Sequence, residues 1–180
     1  MTGETRRDRR HHLAERDYLT TRDFLSARDF FETVRDAVLE GERAQRQIKA
    51  MKAGEGIRPA SLFGGHGGAR DVTGMARVDA RIDLESVYER RIAEAASLVA
   101  AARDVIYGRD QEPGGVAALV GPVAADALFW RFCKAESWHV VMASCGVSES
   151  TCRRMVDVGI DAVQAYGITR AIAGVGVAEG

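Results

Sequence analysis

The stretch that decides the fold runs Ser137-Trp138-His139-Val140-Val141-Met142-Ala143-Ser144-Cys145-Gly146-Val147-Ser148-Glu149-Ser150-Thr151-Cys152-Arg153-Arg154-Met155-Val156. Ser137 is a good helix N-cap, because its short hydroxyl can take up a free backbone N–H of the first turn. Trp138, Val141, Met142 and Cys145 recur at helical spacing and give a short helix one apolar face. Gly146 then allows the left-handed backbone that a sharp turn requires. Val147 is the apolar plug of that turn, and Ser148 caps the next helix, expected over Ser148 to Val158. On this second helix Cys152, Met155 and Val156 face inward, while Glu149, Ser150, Arg153 and Arg154 face out. A cap, an apolar face, a glycine turn and a second cap, in that order, predict a helix-turn-helix. A third helix, Ala125 to Lys134, would lie under it with Leu128, Phe129 and Phe132.

Upstream, two long helices are expected. From Asp17 to about Lys52 an apolar stripe holds Phe24, Ala27, Phe31, Val34, Val38, Ile48 and Met51, with Thr20 or Thr21 as its cap. From Val78 to Tyr107, Leu84, Tyr88, Arg91, Ala95, Leu98, Ala102 and Val105 keep the four-three spacing of a coiled-coil seam. Arg91 interrupts that seam, and Ile82, Ile92, Val99 and Ile106 widen it. Stripes of similar length predict an antiparallel helical hairpin. No alternating Val/Ile/Thr run is bounded by turns, so no sheet is expected. The fold class is therefore all-α: a long coiled-coil-like hairpin, then a C-terminal helix-turn-helix module.

The expected organisation is a disordered basic tail at 1–16, the hairpin at 17–108, a linker at 109–122, the module at 123–168 and a flexible tail at 169–180. Of the nineteen glycines of the chain, all but Gly3, Gly41 and Gly146 cluster at 54–74, 108–121 and 159–180, which reads as punctuation between helices. Within the hairpin, 54–74 reads as a flexible connector. Gly64-Gly65-His66-Gly67-Gly68 lacks the Lys-Ser/Thr and the preceding strand of a phosphate loop.

Composition limits the function classes. A net charge of −1 gives no global basic field, so any contact with nucleic acid must be local. Three cysteines and a polar N-terminus point to a reducing cytoplasm rather than secretion. No apolar run reaches the length of about 20 residues that spans a bilayer, so no membrane partner is expected. Cys133, His139, Cys145 and Cys152 offer zinc-type donors without a close Cys-x-x-Cys pair, and Cys145 and Cys152 fall where small core residues are needed. No metal, no cofactor and no enzymatic activity are expected, since no nucleophile–base or paired-carboxylate arrangement can be placed on facing elements.

The outward residues carry the functional expectation. Ser137, Ser148, Glu149, Ser150, Thr151, Arg153 and Arg154 are the candidate DNA contacts: hydroxyls for phosphate or base edges, arginines for phosphate or guanine. From 124 to 170 the five basic residues Arg131, Lys134, Arg153, Arg154 and Arg170 are matched by five acidic ones, Asp126, Glu136, Glu149, Asp157 and Asp161.

Leu128-Phe129-Trp130-Arg131-Phe132, Ser137-Trp138, Val141, Gly146-Val147-Ser148 and Thr151 resemble the DNA-reading C-terminal region of sigma factors. His139, Val140, Cys145 and Cys152 depart from that pattern. From about Asp17 to Tyr166 the chain resembles the phage-encoded, ArpU-like transcriptional regulators. The resemblance implies a cytoplasmic regulator of phage or prophage genes that binds double-stranded DNA, with RNA polymerase as a further partner and the hairpin as a route to homo-oligomers. The rival expectations are a phage assembly protein, such as a small terminase subunit, and a helix-turn-helix used for protein–protein contact alone.

Overall fold

The computed structural model describes residues 26–53, 75–109 and 114–168. The expected tails, the glycine connector at 54–74, Phe24, Thr20 and Thr21 lie outside those residues. Every regular element among the described residues is helical, which agrees with the all-α expectation.

Helix α1 (Ala27–Lys52) starts at Ser26, whose Oγ accepts from the Asp29 N–H at 3.1 Å. Asp29 in the first turn and Lys49 and Lys52 in the last complement the helix dipole. Helix α2 is Met75–Tyr107. The two lie antiparallel: Lys52 pairs with Glu85 at 2.9 Å, Glu40 with Arg91 at 3.0 Å, and Gly41 faces Ala95. Arg91, the residue that interrupts the apolar stripe, is thus an exposed ion-pair partner. Ala95, Leu98, Ala102, Val105 and Ile106 are buried as their spacing predicts. Leu84 and Ile82 are not: 44% and 58% of their surface is exposed, and Ile82, two residues from Leu84, lies on the other side of the helix rather than widening the stripe.

Short helices α3 (Gly115–Leu119) and α4 (Pro122–Leu128) follow. The segment expected as a linker at 109–122 therefore contains a helix, and its Val116 is fully buried in the core. The glycines here allow close passage of two backbones. Gly115 has φ +67, and a Cβ on it would lie 2.6 Å from the Ile106 carbonyl oxygen.

The helix expected over Ala125 to Lys134 is α4 followed by a π turn, Phe129–Cys133. There the Lys134 N–H reaches back five residues to the Phe129 carbonyl, at 3.1 Å. Helices α5 (Trp138–Cys145) and α6 (Glu149–Tyr166) complete the described chain. Helix α6 continues about two turns beyond Val158. Gly159 does not end it. It is buried against Leu128 and Val116, where a side chain would collide.

A single apolar cluster joins all of these elements. Phe30, Phe31 and Val34 of α1 and Leu98 and Val105 of α2 pack with Leu128, Phe132, Val141, Cys152, Val156, Ile160 and Val163. The Phe31 and Phe132 ring centres are 5.4 Å apart. Two polar contacts tie α1 to α6 at the edge. The Ala27 N–H donates to Gln164 Oε1 at 2.7 Å, and Arg28 pairs with Asp157 at 2.7 Å. No helix among the described residues is long and apolar enough to cross a membrane.

Candidate nucleic-acid interface

The site is built on α5, the three residues Gly146-Val147-Ser148, and α6. Gly146 adopts the left-handed conformation (φ 67, ψ 22), and its N–H donates to the Met142 carbonyl at 2.9 Å, closing α5. Val147 packs half-buried against the core. Ser148 is extended and its Oγ accepts from the Thr151 N–H at 3.3 Å, opening α6. Below the turn, Val141 and Cys152 are fully buried and Val156 nearly so, while Met155, Trp138, Met142 and Cys145 are half-buried. This is the inward face that the apolar pattern predicts.

Ser137 stands at the N-cap position of α5 with extended backbone, but its side chain makes no capping bond. The side-chain cap expected there is not made; the Ser137 carbonyl accepts the first helical bond, from the Val141 N–H at 3.1 Å. Ser148, Ser150 and Thr151 come together at the start of α6. Their hydroxyls lie 3.1 Å (Ser148–Ser150) and 2.9 Å (Ser148–Thr151) apart and bond to one another. Glu149 sits half-buried in the first turn, where its charge suits the positive end of the helix.

The two arginines differ in their surroundings. Arg153 donates from Nε and Nη2 to Glu149 Oε1, at 2.9 and 2.6 Å, one turn back on α6. Its guanidinium also lies 4.5 Å from the centre of the Trp138 ring. Arg153 therefore bridges α6 to α5 as well as facing outward. Arg154 is exposed and has no ion pair or hydrogen bond among the described residues. Asp157 is engaged by Arg28 and leaves Arg154 free of an acidic neighbour in that pair.

The sequence pattern did not single out Arg131 and Arg35. The Arg131 guanidinium is 4.7 Å from the same Trp138 ring, and its Nη1 donates to the Glu136 carbonyl at 3.0 Å. Burial, then the neighbouring charges of Arg35 and Arg153, hold it below the usual arginine range against the opposing pull of Glu32. Arg35 comes from α1, so only tertiary packing brings it here. Spacing within 130–138 places Arg131 and Trp138 near one turn, which is the one local signal for this group.

Among the described residues no three His, Cys, Asp or Glu side chains come together as ligands. Burial pushes the Cys133 thiol up to about 12, and burial with the neighbouring Cys152 pushes Cys145 up to about 11. Both remain thiols at neutral pH and pack as small apolar residues.

No protein-family model matches the chain, and neither the curated proteins nor the solved structures contain a significant match to it.

Proposed function

We propose that this chain is a DNA-binding regulator of transcription, acting on phage or prophage genes, that reads DNA with α6. In this reading α5, the Gly146 turn and α6 form a helix-turn-helix module, and α1 with α2 forms a helical hairpin that braces it from behind. The observation that carries the reading is the α5–α6 corner. A left-handed glycine and a serine cap set a short helix and a long one on one apolar plug, with Ser150 and Arg154 turned to solvent. A helix held in that way can enter the major groove with its N-terminal half toward the base edges. Internal bonding of Ser148, Ser150 and Thr151 leaves Arg154 as the side chain most available for DNA, with Arg153 reaching phosphate only by giving up Glu149.

The test is a titration of the full chain with duplex DNA from its own genomic neighbourhood, at low and moderate salt. Arg154→Ala should lower affinity and make the salt dependence shallower by about one unit if the contact is to phosphate. If it reads a base, it should cost about 1–3 kcal/mol at one position of the site. Equal binding by variant and parent, or no binding by the parent at low salt, would sink the reading.

A second reading, protein–protein contact by the same corner, is favoured by the engagement of Arg153 with Glu149 and Trp138. A corner committed to its own side chains has fewer free donors for phosphate. A stable complex with another protein that Arg154→Ala leaves unchanged, in the absence of DNA binding, would support it.

A further inference from the structure

Arg153 of α6 is held at two places. Its Nε and Nη2 both donate to Glu149 Oε1, at 2.9 and 2.6 Å. Those nitrogens share one side of the planar guanidinium, so Glu149 takes up the side edge. The end edge, made by Nη1 and the second hydrogen of Nη2, has no partner among the described residues. The Trp138 ring of α5 lies against the same guanidinium, 4.5 Å from the ring centre. That ring is gripped in turn from the π turn: Arg131 lies 4.7 Å from it and donates to the Glu136 carbonyl at 3.0 Å. Even so, 54% of the Arg153 side chain is exposed. A long side chain in water ordinarily samples many rotamers. Here a carboxylate and a ring set the plane and position of the guanidinium, while two parallel donors at its end stay unengaged.

Two partners on DNA suit that end edge: an anionic phosphate, and the O6 and N7 acceptors of guanine. Charge separates them. Glu149 cancels the charge of Arg153 at 2.6 Å, and its carboxylate, 45% exposed, would repel a phosphate brought alongside. The guanine edge is neutral, so it meets the same donors without that repulsion. Arg153 also stands in the N-terminal half of α6, the half turned to the base edges when such a helix enters the major groove. We propose that Arg153 is the guanine-reading residue of α6, donating from its end edge to O6 and N7 of one G·C pair, with Glu149 and Trp138 as positioning residues. The inference rests on the DNA-binding reading and gives it a base preference. Arg154, exposed and without an ion pair, is left for phosphate, so the two adjacent arginines divide readout from anchoring.

The full chain first selects its preferred duplex from a pool of random sequence. Affinity and its salt dependence are then measured on a panel in which each base pair of that duplex is changed singly, and in which each guanine is replaced by 7-deazaguanine, which lacks the N7 acceptor. The principal variant is the double Glu149→Gln, Arg153→Gln, which removes the fork and leaves the net charge of the chain unchanged. Glu149→Gln and Trp138→Leu test the positioning, and circular dichroism and thermal melting check that each variant folds. One G·C pair should be worth about five- to a hundredfold to the parent, and 7-deazaguanine there should reproduce part of the loss. The double variant should lose the preference at that pair alone, with the parent's salt slope. Glu149→Gln frees the charge of Arg153, so the same preference should shrink while the slope steepens by about 0.9. Trp138→Leu should shrink the preference without steepening the slope.

A double variant with the parent's preference at every pair overturns the assignment. So does one weakened equally on all duplexes with a slope lower by about 0.9, which would put Arg153 on phosphate. A Glu149→Gln or Trp138→Leu protein with the parent's preference at that pair overturns the positioning role of that residue. Where Arg154→Ala still loses affinity in the same series, the reading helix stands and this inference alone falls. Failure of the parent to bind any duplex at low salt brings down both.

Discussion

Arg28 of α1 and Asp157 of α6 are 129 residues apart in the chain and 2.7 Å apart in the fold. The pair lies on the outside, with about half of each side chain exposed (51% and 58%). Exposed pairs are screened and contribute about 0.2–1 kcal/mol. A double-mutant cycle of Arg28→Ala and Asp157→Ala should return a coupling within that range and shrink as salt rises. A coupling above about 2 kcal/mol would mean that the pair is far less hydrated than its exposure indicates.

Leu98 on α2 is almost fully buried, whereas Leu84 on the same stripe is 44% exposed. Leu98→Ala should therefore cost about 2–5 kcal/mol in urea unfolding. Leu84→Ala should cost less than about 0.5 kcal/mol. Equal costs would show that the far end of α2 is covered in solution.

Gly159→Ala sets two effects against each other. Alanine gains about 1 kcal/mol of helix propensity over glycine. Its methyl would come within 2.7 Å of Leu128 Cδ1 and 3.2 Å of Val116 Cγ1, both fully buried and unable to yield cheaply. Overpacking of this kind costs about 1–3 kcal/mol. The variant should melt below the parent. Gly41→Ala, which meets the Ala95 methyl at 3.1 Å, should come out nearer neutral. A Gly159→Ala protein that melts higher than the parent would refute the packing account.

Gly146→Ala has open space around it and only the backbone to contend with. A left-handed alanine costs about 1–2 kcal/mol. The loss should appear in the urea midpoint, with Gly146→Asn recovering part of it, since asparagine tolerates that conformation better. A substitution without effect would mean that the turn relaxes to another shape.

Alkaline stability follows from the thiols. Burial raises Cys133 to about 12 and Cys145 to about 11, from an ordinary value of 9.0. The unfolded chain ionises first as pH rises, so their contribution is present below about pH 9 and is lost as pH climbs toward those folded values. The urea midpoint should fall between about pH 8 and about pH 10, and less steeply in Cys133→Ala. A midpoint that rises over this interval would contradict the burial of these thiols.

The helical class, the Gly146 turn and the Ser148 cap were legible because each depends on a few neighbouring residues. The stripe of α2 was legible only as a face. Periodicity shows that Leu84 lies with Leu98, but not that this end of the stripe is left exposed; Ile82, two residues from Leu84, falls on the opposite side of the helix. Phe30 fell outside the α1 stripe and is nonetheless buried, because α1 carries a second covered face once the C-terminal helices pack on it. The same cause hid the influence of Arg35 on Arg131, since that charge comes from α1 and not from the neighbouring sequence. Ser137 was misjudged for a local reason: a residue type suited to capping does not fix its own rotamer. The burial of Val116 shows that a glycine-rich break can be a close backbone crossing rather than slack.

The π turn at Phe129–Cys133 holds one residue more than an α-helical turn would use. The Lys134 N–H, bonded five residues back, marks where that surplus residue is taken up as a local widening. Phe132 meets Phe31 and Arg131 meets Trp138 from within this widened turn. The surplus residue thus fixes where both side chains leave the backbone. Length in this segment should be guarded more strictly than the identity of any one side chain within it.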